Sequence, residues 1–138
     1  MKEKTILLVE DDYLDVESVK RALKKTAIPH ILHVAHNGAD ALEMLTGNFN
    51  DYEKFTADVI LLDINMPKMN GIEFLQIIKN YYSLKDIKIY IITTSAEEYD
   101  MLSTQQLGVA GYIIKPMVFN EKRHDDAHKL LLNLTDKS

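Results

Sequence analysis

Apolar residues along this chain fall into two alternating patterns. Five short stretches are apolar at most positions: Thr5 to Val9, His30 to Ala35, Asp58 to Leu62, Ile87 to Ile92 and Gly111 to Ile114. Runs such as Ile6-Leu7-Leu8-Val9 and Val59-Ile60-Leu61-Leu62 carry bulky apolar side chains at successive positions, which suits a parallel strand covered on both faces. Between these runs the apolar residues space out to three and four. Val16, Val19 and Leu23 form one stripe, and Ala127, Leu130, Leu131 and Leu134 form another. Ala39 to Leu45 reads as a short helix closed by Gly47, and Ile72 to Asn80 as a further helix. Ser95-Ala96-Glu97-Glu98 has the form of a capping box, in which a serine side chain and a glutamate three residues on satisfy each other's backbone N–H groups. The pattern predicts a (βα)5 order. Right-handed crossovers then place helices on both faces of a doubly wound, five-stranded parallel sheet, with ligand chemistry expected at the carboxyl ends of the strands. The polar stretch Thr46 to Ala57 fits neither pattern and reads as a long loop or an extra helical turn.

Composition narrows the function classes. The chain has 138 residues, of which 46% are hydrophobic and 27% charged, so a single domain with a real core is expected, its core running from about residue 4 to 135. The absence of cysteine excludes disulfides, thiolate metal sites and cysteine nucleophiles. Met1-Lys2-Glu3-Lys4 opens no secretory signal, and no run approaches a membrane span, so a soluble cytoplasmic protein without membrane insertion is expected. A net charge of −5 with no basic stripe argues against direct nucleic-acid binding.

The residues that follow the strands carry the chemistry. The first strand runs into Glu10-Asp11-Asp12, the third into Asp63, the fourth into Thr93-Thr94-Ser95 and the fifth into Lys115-Pro116. Each has an ordinary reading when taken alone: acids after a strand cap the next helix, Asp63 opens a turn before Met66-Pro67, Thr93 is a strand-end hydroxyl and Lys115 a surface turn. Four reactive groups at the same end of one sheet are harder to assign to turns. Two unit charges about 5 Å apart repel by about 3 kcal/mol at an effective dielectric of about 20, so gathered carboxylates shift their pKa values or recruit a cation. An all-oxygen ligand set suits Mg2+. Glu10, Asp11 and Asp63 supply three negative charges and Mg2+ with Lys115 three positive ones, leaving a neutral pocket open to a phosphoryl group. The chemistry that fits is phosphoryl transfer onto a carboxylate.

Val9-Glu10-Asp11, Leu61-Leu62-Asp63-Ile64-Asn65-Met66-Pro67 with Asn70-Gly71, Ile92-Thr93-Thr94-Ser95-Ala96 and Gly111-Tyr112-Ile113-Ile114-Lys115-Pro116 resemble the receiver domains of two-component response regulators. Thr93 stands 30 residues after Asp63 and Lys115 22 after Thr93, intervals that are also similar to the family's. The resemblance covers nearly the whole chain and implies a flavodoxin-like α/β fold of strand order 2-1-3-4-5. It implies that Asp63 accepts a phosphoryl group from a sensor histidine kinase or phosphotransferase in a Mg2+-dependent reaction. Asp11 and Asp63 would be direct metal ligands, the backbone carbonyl of Asn65 another, and Glu10 would act through water. The Asn65 side chain would tune hydrolysis. Thr93 and Lys115 would bind phosphoryl oxygens. A cis Lys115-Pro116 bond is also implied. Tyr112 and Thr93 would form the switch, altering the face built from the fourth helix, fifth strand and fifth helix, so that output is a protein target or a phosphorelay. The Glu17, Lys20, Arg21, Lys24 and Lys25 cluster reads as a solvated face, though the resemblance implies that the first helix is where a kinase or phosphotransferase docks. The expectation is a stand-alone receiver spanning 1–138 with no output domain, monomeric or weakly homodimeric, that catalyses only its own phosphorylation and dephosphorylation.

Two other classes share part of this pattern. A haloacid-dehalogenase-type phosphatase also uses an aspartate nucleophile, Mg2+ and lysine, but expects an acid where Asn65 stands. A flavodoxin-like electron carrier needs a phosphate cradle after the first strand, where Glu10-Asp11-Asp12 would repel the FMN phosphate. His124 and His128 with Glu121 read as a solvated group. His30, His33 and His36 straddle both faces of an extended segment and do not converge on a metal, and Met66 and Met69 read as loop packing. Glu10, where aspartate is commoner in the family, and the long segments Thr46 to Ala57 and Met117 to Arg123 are departures that resemble the small regulators partnering phytochrome-type sensor kinases.

Overall fold

The computed structural model of the chain describes residues 3–47, 56–66, 69–80, 86–119 and 125–135. Five strands alternate with five helices: β1 (Lys4–Val9), α1 (Tyr13–Lys25), β2 (His30–Ala35), α2 (Gly38–Thr46), β3 (Val59–Asp63), α3 (Gly71–Ile78), β4 (Lys88–Thr93), α4 (Ala96–Ser103), β5 (Gly111–Ile114) and α5 (Ala127–Thr135). The strands form one parallel sheet of order β2-β1-β3-β4-β5. The expected doubly wound fold and strand order are both found. Most of the stretch read as a loop between Thr46 and Ala57 lies outside the described residues, as do Pro67, Glu121 and His124.

The apolar strands are explained by what lies on each face. Ile6 and Leu8 of β1, Val59 and Leu61 of β3, Tyr90 and Ile92 of β4, and Ile113 of β5 pack with Val16, Val19 and Leu23 of α1 and Ala127, Leu130 and Leu134 of α5. Their strand neighbours Leu7, Val9, Ile60, Leu62 and Ile91 point the other way. They meet Ala41 and Leu45 of α2, Phe74, Leu75 and Ile78 of α3, and Leu102 of α4. Successive side chains of a strand face opposite ways, so a strand buried on both faces needs an unbroken apolar run. β2, at one edge, is only part-buried and mixes histidines into its sequence.

β3 and β4 each extend one residue further than the hydrophobic pattern predicts. Asp63 pairs with Ile92 and Thr93 with Ile114. The apolar signal stops where the chemistry begins, although the ladder continues.

Turn chemistry places the helices. Asp12 caps α1 by accepting from Leu14 N and Asp15 N at 2.8 and 3.1 Å, so of the three acids after β1 it is the one that serves as a helix cap. α2 ends on Gly47 with φ 80°, a left-handed conformation that glycine adopts without Cβ strain. Asn70 and Glu73 form a reciprocal capping box on α3. A Cβ at Gly71 would stand 2.9 Å from the carbonyl oxygen of Asp63 and from Ile64 Cα, so glycine lets α3 start directly against the chain leaving β3. On β5, the outer edge of the sheet, the N–H groups of Tyr112 and Ile114 donate to Asp126 Oδ2 and Asp125 Oδ2 at 2.9 and 2.8 Å. Lys115-Pro116 is cis, as the resemblance implied.

Candidate functional site

Strand parity decides which wall of the pocket each group joins. Glu10 continues the Ile6, Leu8 side of β1, Asp63 the Val59, Leu61 side of β3, and Lys115 the Ile113 side of β5, so these three project toward α1 and α5. Thr93 continues the Ile91 side of β4 and projects toward α4.

The first wall is held by charge. Carboxylate oxygens of Glu10, Asp11 and Asp63 all lie within 4.8 Å of one another. Lys115 Nζ donates to Glu10 Oε1 and Asp15 Oδ2, each at 2.7 Å, and lies 3.7 Å from Asp63 Oδ2. Glu10 is fully buried, Asp63 is 5% exposed and Asp11 is exposed. Burial, then the adjoining Asp63 carboxyl, pushes Glu10 up to about 7 against the pull of Lys115. Burial works to lower the Lys115 pKa, but its bonds to Asp15 and Glu10 and the charges of Asp63 and Glu10 outweigh it, and the ammonium is held above its ordinary value. Glu10 Oε2 accepts Asp12 N at 3.2 Å, while Glu10 N donates to Ala35 O at 3.0 Å, fixing the turn after β1.

The second wall is held by neutral donors. Thr93 is fully buried, and its hydroxyl donates to Glu98 Oε1 while Oγ1 accepts Ser95 N at 3.2 Å. Asn65 N donates to Asp63 Oδ1 at 3.2 Å, and Asn65 Nδ2 donates to both carboxylate oxygens of Glu98, at 3.2 and 3.3 Å. The expected capping box on α4 is only half formed. Ser95 Oγ accepts Glu98 N at 3.2 Å, but the Glu98 carboxylate is taken up by Thr93 and Asn65, and the Ser95 N–H turns to Thr93. Tyr112, half-buried, meets Tyr99 of α4 edge to face with ring centroids 6.1 Å apart.

All of Glu10, Asp11, Asp63, Asn65, Thr93 and Lys115 therefore come together at one end of the sheet. Two further acids, Asp15 and Glu98, join them without having been anticipated. Asp15 lies in the first turn of α1, and its carboxylate accepts from Lys115 Nζ at 2.7 Å. Glu98 was hidden behind its capping-box position. Asp15 changes the expected charge balance: with all groups ionised, Glu10, Asp11, Asp15 and Asp63 set four negative charges against the three that Lys115 and a bound Mg2+ would supply. Such a site fits a hard divalent cation: three clustered carboxylates, one of them buried with a raised pKa, gain from a counter-charge that oxygen ligands hold well. Among the described residues no helix is long and apolar enough to cross a membrane.

Comparisons with known proteins agree with this geometry. Residues 6–124 match the response regulator receiver domain family. The chain is 38% identical over 113 residues to the response regulator Rcp1 of Synechocystis sp. (strain ATCC 27184 / PCC 6803 / Kazusa), covering 81% of this chain and 76% of that protein. The structure of Rcp1 in a Mn(2+)-bound form aligns with a TM-score of 0.69 at 34% identity, over 93% of this chain and 88% of that one. The bacteriophytochrome response regulator RtBRR aligns with a TM-score of 0.81 at 34% identity, over 99% of this chain and 81% of that one. The phosphorylated cyanobacterial phytochrome response regulator RcpA aligns with a TM-score of 0.73 at 34% identity, over 83% and 81%. Receiver domains are phosphoacceptor switches that take phosphoryl groups from histidine kinases or phosphotransferases and bind Mg2+ or Mn2+ at an acidic pocket. Its five-stranded order, its acidic pocket and its matches over most of its length place this chain in the response regulator receiver domain family.

Proposed function

We propose that Asp63 is the phosphoacceptor of a signalling switch, phosphorylated by a sensor histidine kinase or phosphotransferase in a Mg2+-dependent reaction. The observation that carries this reading is Lys115 Nζ lying 3.7 Å from Asp63 Oδ2 while bonded to Glu10 and Asp15, beside three carboxylates within 4.8 Å of one another. Asp11, Asp63, the Asn65 backbone carbonyl and, through water, Glu10 would hold the metal, and the structure of one relative is described as Mn(2+)-bound. When bound, Mg2+ would neutralise carboxylate charge and stabilise charge building on the transferred oxygens.

An Asp63 oxygen attacks phosphorus as the phosphorus–nitrogen bond of a phosphohistidine breaks and its electron pair returns to the imidazole. Lys115 binds one phosphoryl oxygen and Thr93 another. Hydrolysis reverses the state: water attacks phosphorus, the Asp63 oxygen leaves, and orthophosphate is released. The Asn65 side chain adjoins that water. As Thr93 is drawn to the phosphoryl group, Tyr112 moves with it and the α4, β5 and α5 face changes toward its protein target or relay partner. Helix α1 offers the kinase a docking surface: Tyr13 and Leu14 at its start are 73% and 74% exposed, and Arg21 and Lys25 toward its end line a groove between α1 and α5.

Acetyl phosphate with Mg2+ tests the assignment. One labile phosphoryl group should appear on the intact protein by mass spectrometry. Asp63→Asn should abolish it, and persistence of the label in that variant would reject the site.

A further inference from the structure

Glu98 belongs to no metal-ligand set, yet it is bonded to Thr93, expected to bind a phosphoryl oxygen, and to Asn65, whose side chain is expected beside the attacking water. A threonine hydroxyl has one hydrogen to give, and that of Thr93 goes to Glu98 Oε1. The Asn65 amide nitrogen donates to the same carboxylate at 3.2 and 3.3 Å. A phosphoryl group on Asp63 brings anionic oxygens that need the same hydroxyl. It is also repelled by a carboxylate already paired there, so the two anions are rivals for one set of donors. We propose that Glu98 is a positioning residue that stands in for the phosphoryl group in the resting protein, holding Thr93 and Asn65 until phosphorylation of Asp63 displaces it. This rests on Asp63 being the phosphoacceptor.

The construction of α4 explains how displacement would be felt at a distance. Of its residues only Leu102 is buried, and Met101 is 54% exposed, so little packing resists movement of its first turn. The capping serine holds only the Glu98 N–H, leaving the carboxylate free of the usual reciprocal bond. One residue further, Tyr99 packs against Tyr112. Release of Glu98 therefore acts at the helix turn whose next side chain touches the fifth strand, which joins the acceptor to the output face through a named contact.

Beryllofluoride, which adds to an aspartate as a phosphoryl mimic, tests the idea without an enzyme. In the presence of Mg2+, 19F NMR titration of the whole chain should give Glu98→Gln and Glu98→Ala an affinity about fivefold or more above wild type, since charge-assisted bonds are about twice as strong as neutral ones. Acetyl phosphate should label both variants faster. Glu97→Gln, the same charge change at an exposed neighbour, should stay within about twofold of wild type. Amide NMR signals of residues 95–99 in unliganded Glu98→Gln should move toward the positions that beryllofluoride produces in wild type. A purely structural glutamate would alter melting temperature without this shift. Wild-type affinity in a folded Glu98→Gln, or an equal gain in Glu97→Gln, would overturn the proposal alone. Failure of the wild type to bind beryllofluoride would overturn the phosphoacceptor reading as well.

Discussion

On the side of the pocket facing α1 and α5, Lys115 is bonded to Glu10 and Asp15 and backed by a helix that buries Val16, Val19 and Leu23. On the side facing α4, Thr93 and Asn65 are bonded to Glu98 on a helix that buries Leu102 alone. The first wall combines ion pairs with deep packing, which resists rearrangement. The second combines hydrogen bonds with thin packing, so a change of one anion can reorder it. A switch needs both: a fixed binding wall and a wall with two arrangements.

The largest effect should come from the charged wall. Lys115→Ala strands the fully buried Glu10 without its cation, and unfolding by denaturant without metal at mildly alkaline pH, where Glu10 is ionised in the wild type, should show a loss of about 3 kcal/mol. A loss below about 1 kcal/mol would mean that Glu10 takes a proton at little cost and that the wall is not held by charge.

Next comes a pH effect in the core behind that wall. Burial pushes the Tyr90 phenol up to about 12, against a hydrogen bond from Asn133 and with help from Asp126. An unfolded tyrosine ionises near its ordinary value of 10.0, so the contribution is whole below pH 10 and is lost as pH rises through 12. Thermal unfolding should therefore lose about 2 kcal/mol across that window, and Tyr90→Phe should flatten this part of the profile.

The hydroxyl wall should respond less. Thr93→Val keeps the shape and removes one buried hydrogen bond, for about 1 kcal/mol in the same denaturation experiment. Its phosphorylated form should show no change at the α4 and β5 amide signals, and a wild-type response there would separate Thr93 from the switch. Asp15→Asn should be smallest, near 0.5 kcal/mol, because this carboxylate is 36% exposed and screened by solvent. If it matched Lys115→Ala, Asp15 rather than Glu10 would be the anchor of the lysine.

The same contrast separates what the sequence discloses from what it hides. The apolar runs Ile6 to Val9 and Val59 to Leu62 announce buried strands because both faces of a parallel sheet demand them, and the groups just past them are legible as a site because that end of the sheet is where ligands bind. The hydrophobic pattern ends β3 and β4 one residue short, since Asp63 and Thr93 are polar yet remain on the ladder. Glu98 was misread for a related reason. Ser95 and Glu98 carry the spacing of a capping box, and Asn70 with Glu73 forms one in full, but only three-dimensional proximity reveals that Thr93 and Asn65 compete for the Glu98 carboxylate. Asp15 was invisible because nothing in its spacing says that a lysine 100 residues away lies above it.

The two aspartates beside β5 bear on how this protein can meet another. A terminal strand ordinarily offers a row of open amide hydrogens onto which a foreign strand can zip. Here two of those hydrogens are already claimed by Asp125 and Asp126. A visitor to that margin must dislodge both acids before it can extend the sheet, so recognition there falls to side chains.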